Sequence, residues 1–237
     1  MTHVDLNLLA LDTSTDQLSV AVQRADGQRF AHTGAGGAQA SASLIPAVQA
    51  LLAQGGLSLS DLRAIAFGRG PGSFTGLRTA CSVAQGLAWG AGVPVLPIDT
   101  LLAVAEAARS AHGATHVLAL LDARMNEVYA AEYAWRDAAG WRPLSDIAVL
   151  APEAVPTPGA GAVLAGNAFA AYADRLPAAL QALPRIAALP SADALLNLAP
   201  ALLAAGAAVP AEQALPLYIR DKVAQTTAER SAAGLAR

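Results

Sequence analysis

Phe67-Gly68-Arg69-Gly70-Pro71-Gly72-Ser73-Phe74-Thr75-Gly76-Leu77-Arg78 is the stretch on which the fold turns. It follows the apolar run Ala64-Ile65-Ala66-Phe67 and opens a small-residue helical pattern that continues to about Trp89. A strand, a glycine turn and a helix start therefore lie in immediate succession, as at the junction of an α/β unit. Glycines at 68, 70, 72 and 76 let the backbone take positive φ or approach another group closely. The free N–H groups that open a helix also attract anions. Two readings of Gly70, Pro71, Gly72, Ser73, Phe74, Thr75 and Arg78 stand side by side: a phosphate cradle, or a turn that positions the helix.

Upstream, Leu8-Leu9-Ala10-Leu11 reads as a buried strand closed by Asp12-Thr13-Ser14-Thr15. Leu18 to Val22 alternates as a second strand, Asp26-Gly27 turns, and Gln28 to Thr33 returns as a third. Leu44, Ile45, Val48, Leu51 and Leu52 mark an amphipathic helix ended by Gly55-Gly56. Downstream, Val95 to Ile98 is a strand and Leu101 to about Ala111 a helix. A second round then begins. Val117 to Leu121 and Glu127 to Trp135 read as strands, Asp137-Ala138-Ala139-Gly140 turns, and Trp141 to Ile147 returns as another. After a Pro-rich loop come the strand Val163-Leu164-Ala165, a helix from Phe169 to Leu176, and a helix from Asp193 to Ala205 interrupted by Pro200. The first round has the order βββαβαβα, and three strands followed by α/β units recur in the second, which predicts two α/β lobes with mixed sheets.

The chain has 237 residues, 54% of them apolar and 14% charged, enough for a sizeable core. No apolar run reaches the length of a membrane span, and Met1-Thr2-His3-Val4-Asp5 has no signal-peptide pattern. One cysteine, Cys81, excludes an internal disulfide and fits a reducing compartment, so the cytoplasm is the expected location. The net charge is −3 and the sole lysine is Lys222, so any contact with nucleic acid is expected to come through a partner.

Leu9 to Ser14, Gly70 to Arg78, Asp122-Ala123-Arg124-Met125-Asn126-Glu127-Val128-Tyr129 and Pro216-Leu217-Tyr218-Ile219-Arg220 fall in an order that resembles the TsaB (YeaZ) family. The resemblance covers nearly the whole chain. It implies a duplicated actin-like, ribonuclease H-like fold in two lobes, of the acetate-kinase/Hsp70 type: an N-terminal lobe over 1–110, a smaller lobe over 111–190, a helix near 191–206 that packs back on the first, and a polar tail over 221–237. It also implies a non-catalytic subunit for threonylcarbamoylation of tRNA adenosine beside the anticodon, partnered by the related catalytic subunit TsaD and the ATPase TsaE. The family often has His-Ser at the start of its first helix, where this chain reads Ala40-Ser41.

The competing expectation is a stand-alone enzyme of the same superfamily, an ATP-dependent kinase or a metallopeptidase-like protein. TsaD's His-x-x-x-His metal pair falls by the resemblance on Thr100 and Val104, which are unsuited to a transition metal, so no metal site is expected. His112 and His116 share i, i+4 spacing, but Gly113 between them reads as a helix terminator. Asp12, Thr13 and Ser14 occupy the place of a phosphate loop, although position 14 lacks the glycine such a loop uses. No tightly bound cofactor is expected, with ATP or ADP held, if at all, at an interface shared with TsaD. Asp122, Arg124 and Glu127 read either as an acid/base group or as ion pairs that fix a hairpin, and Cys81 reads as inert core.

The helix after the motif supplies the positive argument. Gly76, Thr79, Val83, Gly86 and Gly90 form a small, uncharged stripe, and no charge occurs between Arg78 and Gly92. With Leu44 and Val48 of the first helix, this stripe is the expected partner interface, meeting TsaD or, without it, a second copy in a homodimer.

Overall fold

A computed structural model describes residues 6–137 and 139–220. The N-terminal residues 1–5, Ala138 of the 137–140 turn, and the polar tail 221–237 with Lys222 lie outside the described residues.

The first sheet joins β1 (Leu8–Asp12), β2 (Gln17–Gln23), β3 (Arg29–Ala35), β4 (Ala64–Gly70) and β5 (Val95–Asp99) in the order β3-β2-β1-β4-β5. β1 pairs antiparallel with β2 and parallel with β4, so it is central and buried on both faces. Its alternation sorts the core. Leu9 and Leu11 pack with α1 (Ala40–Gly55) and α2 (Phe74–Ala91), whereas Leu8 and Ala10 face the other side. There they meet α3 (Thr100–His112) and, from the far end of the chain, α6 (Ala192–Ala204). Between those two helices the chain forms β6 (His116–Arg124), β7 (Glu127–Arg136), β8 (Gly140–Pro143), β9 (Ala148–Leu150), β10 (Val163–Gly166), α4 (Ala168–Tyr172), α5 (Ala178–Gln181) and β11 (Arg185–Ala187).

The second sheet runs β11-β10-β6-β7-β8, with β9 also paired to β7. Read from β8, it repeats the first sheet: β6 is central, antiparallel to β7 and parallel to β10. The two-lobe duplication is therefore a property of the topology. Helix α3 joins the halves, because Ala103 packs with the first sheet while Leu101, Val104, Ala105 and Ala108 pack with the second. A helix apolar nearly all round must be covered on all sides.

Local chemistry sets the helix ends. Ser73 caps α2 by accepting a bond from Gly76 N, and left-handed glycines at 56, 92 and 113 stop α1, α2 and α3. Helix α6 continues through Pro200 on the strength of its buried Leu195, Leu196, Leu198 and Ala199.

Two expectations from the sequence need correction. The strand expected over 141–147 stops at Pro143, the end of β8, because Pro143 has no N–H and Ser145 Oγ takes the Glu132 N–H at 2.9 Å; a separate strand, β9, starts only at Ala148. The helix expected from Phe169 to Leu176 ends at Tyr172 and passes into a 3-10 turn. Strand β11 and helix α5 were not anticipated; each spans only three or four residues, too few to show a period.

Candidate functional site in the cleft and on the helix face

The ends of β1 and β4 interlock. Asp12 is buried; its Oδ1 accepts from Ser14 N at 2.9 Å and from Ser14 Oγ at 2.6 Å. Its Oδ2 has no hydrogen-bond partner among the described residues and lies against Gly68, where an added Cβ would stand 1.7 Å from it. Burial pushes the Asp12 carboxyl up to about 6, and the Ser14 bonds offset part of that rise. Thr13 Oγ1 donates to Gly76 O at 2.6 Å, and Ser73 N donates to Ser14 O at 2.7 Å. Gly70 N donates to Thr100 Oγ1 at 3.1 Å. The N–H groups of Gly70, Ser73 and Gly76 are thus engaged within the chain, where they fix the turn to β1 and α3.

Across from it stands the matching end of the second lobe. Asp122 Oδ1 accepts from Arg124 N and from Tyr172 OH, and Asn167 Oδ1 accepts from Asp122 N. Arg124, Met125 and Asn126 form a β6–β7 turn in which all three non-glycine residues take positive φ, between 55° and 60°. Arg124 reaches over the cleft to Asp16, while Glu127 pairs with Arg220. These charges therefore form ion pairs, and two of the pairs join the lobes. A cavity of about 280 Å³ lies between, lined by Ser14, Asp16, Ser73, Asn167, Arg124 and others; Asp12 and Thr13 do not line it.

Residues 217–220 close one wall of this cavity. Leu217 N donates to Arg69 O at 2.7 Å, and Arg78 Nε donates to Tyr218 OH at 3.0 Å. The Arg78 guanidinium also sits 3.6 Å from the centre of the Phe74 ring, which in turn lies 5.4 Å from the Tyr218 ring. Nothing local in the sequence marks Tyr218 and Arg220 as partners of the glycine turn; the signal that was present is the Tyr-Ile-Arg run itself, quoted above for the resemblance.

The helix face divides differently from the sequence expectation. Leu44 and Val48 are core residues, 0% and 1% exposed, because they lie on the sheet-facing side of α1. Gly76 is buried too: an added Cβ would stand 1.8 Å from Thr13 O, so its small size serves the β1 turn and leaves nothing for a partner. Gly86 and Gly90 are exposed, with nothing within 4 Å of an added Cβ, and Thr79 and Val83 are half-buried. The exposed part of α1 adds Ile45, Pro46, Gln49 and Ala53. Trp89, 70% exposed, stands at the end of the face. Apart from Arg78, neither helix carries a charge.

The remaining candidates fall to ordinary structural roles. Thr100 accepts the Gly70 N–H, and Val104 is packed in the core. His112 ends α3, whereas His116 lies in β6 with Nε2 2.6 Å from Glu132 Oε1. Cys81 donates to Ala214 O at 3.3 Å, and burial raises its thiol pKa. Ala40, where the family often has histidine, is fully buried in the first-lobe core.

The fold and the interlocked cleft define a two-lobed protein of the duplicated actin-like class. The family model for TsaD, described as tRNA N6-adenosine threonylcarbamoyltransferase, matches residues 36–228. The chain is 39% identical over 224 residues to the Escherichia coli tRNA threonylcarbamoyladenosine biosynthesis protein TsaB, covering 92% of this chain and 96% of that one. It is 48% identical over 125 residues to the Haemophilus influenzae protein of the same name, covering 53% and 52%. The solved structure of YeaZ from Pseudomonas aeruginosa is 41% identical and superimposes with a TM-score of 0.83 over 90% of this chain and 99% of that one. The chain belongs to the TsaB (YeaZ) family. Among the described residues, no helix is long and apolar enough to cross a membrane.

Proposed function

We propose that this chain is a non-catalytic subunit in the cytoplasmic synthesis of threonylcarbamoyladenosine on tRNA, beside the anticodon. It binds and orders the catalytic subunit TsaD, with the ATPase TsaE joining the pair, and it meets tRNA only through that assembly. In the absence of TsaD, two copies pair through the same face. The observation that carries this reading is the uncharged outer face of α1 and α2, where Ile45 and Trp89 are 42% and 70% exposed beside glycines at 86 and 90. Small residues let a second pair of helices approach closely, and a large exposed Trp is a common anchor of such contacts.

Non-catalysis is supported by the positions assigned to TsaD's metal pair, which here serve the fold as Thr100 and Val104. It is supported too by the buried, inward Asp12, which is unable to reach a hydrated cation in the cavity. Nucleotide, where the assembly uses it, is held at the interface shared with TsaD, and no tightly bound cofactor belongs to this chain alone.

Val83→Glu tests the reading, with Gly86→Glu as a second variant at a position open to solvent. Each variant, mixed with TsaD and TsaE, should fail to co-purify with TsaD and fail to support modification of tRNA, while its circular dichroism matches that of the parent. Undiminished co-purification by both would sink the interface. Turnover of ATP by the purified chain alone, lost on Asp12→Ala, would overturn the non-catalytic role.

A further inference from the structure

The segment 214–220 belongs by its anchors to the first lobe and by its last two residues, Ile219 and Arg220, to the second. Cys81 holds Ala214 O, Arg69 O holds Leu217 N, and Arg78 and Phe74 hold Tyr218. The backbone runs so close to the glycine turn that a Cβ on Gly70 would stand 2.6 Å from Leu217 O. Arg220 then crosses to the β6–β7 turn, donating to Ala123 O at 3.1 Å, to Met125 Sδ at 3.3 Å and to the Glu127 carboxylate.

That turn is where the second lobe stores strain. Its three successive left-handed non-glycine residues persist only if their surroundings hold them. Two contacts from the first lobe reach it, and they are unequal. Asp16 and Arg124 are 82% and 68% exposed, so water screens their attraction. Arg220 is 15% exposed and is shared among three acceptors, so of the two ion pairs it is the stronger hold; Ile219 beside it packs on the second-lobe core, and Arg175, from within the second lobe, donates to Asn126 of the turn.

We propose that residues 214–220 are a built-in latch: a strap fixed to α2 and the glycine turn that keeps the two lobes closed through Arg220, and whose release opens the cleft. The closed cleft and the start of α2 are therefore set by one device. An opening at the β6–β7 turn is felt at Phe74 and Arg78, where the proposed partner helix begins. The latch itself stands on intramolecular contacts and does not depend on the identity of any partner.

Hydrogen exchange on the full chain, together with energy transfer between dyes placed through unnatural amino acids at the exposed Gln54 and Asp174, tests it. Arg220→Ala should speed exchange in peptides spanning 120–128 at least tenfold and broaden the lobe-to-lobe distance distribution. The reversed pair, Arg220→Glu with Glu127→Arg, should recover most of the protection. Tyr218→Ala, which loosens the strap on the first lobe and leaves the Arg220 pair intact, should produce the same opening; it decides the matter if Arg220→Ala loses protection throughout the chain. A parental distance distribution in both single variants would overturn the latch, whatever local exchange does.

Discussion

Gly76 shows how one atom decides a structure. Its Cα lies against the carbonyl of Thr13, and an added methyl would meet that oxygen at 1.8 Å. Neither backbone segment can yield, because Thr13 Oγ1 is bonded to Gly76 O. Gly76→Ala should therefore cost about 3 kcal/mol or more of unfolding free energy, read as a lower denaturant midpoint. The same change at the open Gly86 should be neutral or stabilising, by up to about 1 kcal/mol, through helix propensity. Asp12 makes a different demand. Its folded pKa of about 6 lies above the ordinary 3.8, so the folded state binds the proton more tightly than the unfolded chain. This contribution to stability is full below pH 3.8 and is lost as pH rises through 6. Asp12→Asn keeps an acceptor for Ser14 without the charge. Its stability relative to the parent should rise between pH 4 and pH 8 by on the order of 3 kcal/mol. Equal pH profiles in chemical denaturation would show that the carboxyl is not buried in this way.

At the scale of the element, α2 has three faces with three tasks. Leu77, Ala80, Cys81, Ala84 and Ala88 are buried against the first sheet and its surroundings. Gly76, with the N-cap Ser73, ties the helix start to the β1 turn. The outer face is left uncharged. A solvated helix face normally carries charge, and the lack of it here is what supports the proposed interface. Trp89→Ala should change unfolding free energy by no more than about 0.5 kcal/mol, as expected for an exposed site. It should weaken association with TsaD, or of two copies, by about 2 kcal/mol or more, which calorimetric titration or sedimentation would measure. Ile45→Ala should act in the same direction and less strongly, since its side chain is smaller and less exposed. Helix α1 is the cautionary case. Its apolar positions were legible, but the assignment of Leu44 and Val48 to a partner failed because the most regular apolar stripe faces the sheet and the exposed side is irregular.

For the whole molecule, two copies of one topology share a central helix. The first sheet is covered on one face by α1 and α2 and on the other by α3 and α6, although α6 follows the entire second lobe in the chain. The chain leaves the first lobe at α3 and returns to it at α6, and residues 214–220 then cross the cleft mouth to Arg220. The lobes are thereby bound at both ends of the insertion, which is why a contact such as Arg220–Glu127 spans 93 positions in sequence.

The sequence by itself determined most of the longer strands, the glycine stops of the first three helices and the doubling of the fold. Those features depend on neighbours within one turn or one pleat, as at Gly56, Gly92 and Gly113, and on the apolar runs at Leu8 to Leu11 and Val117 to Leu121. It also showed that α2 has an uncharged stripe and that Thr100 and Val104 are poor metal ligands. Only the tertiary structure decided which glycine of that stripe is spoken for, that Asp12 turns away from the cavity, and that Tyr218 stacks beside a motif 140 residues earlier. The glycine turn could be read locally as a cradle or as a positioning device. Its Gly70 and Ser73 N–H groups are taken up by Thr100 and Ser14, residues 30 and 59 positions away, and a local pattern contains no information about segments that meet only once the first lobe has folded.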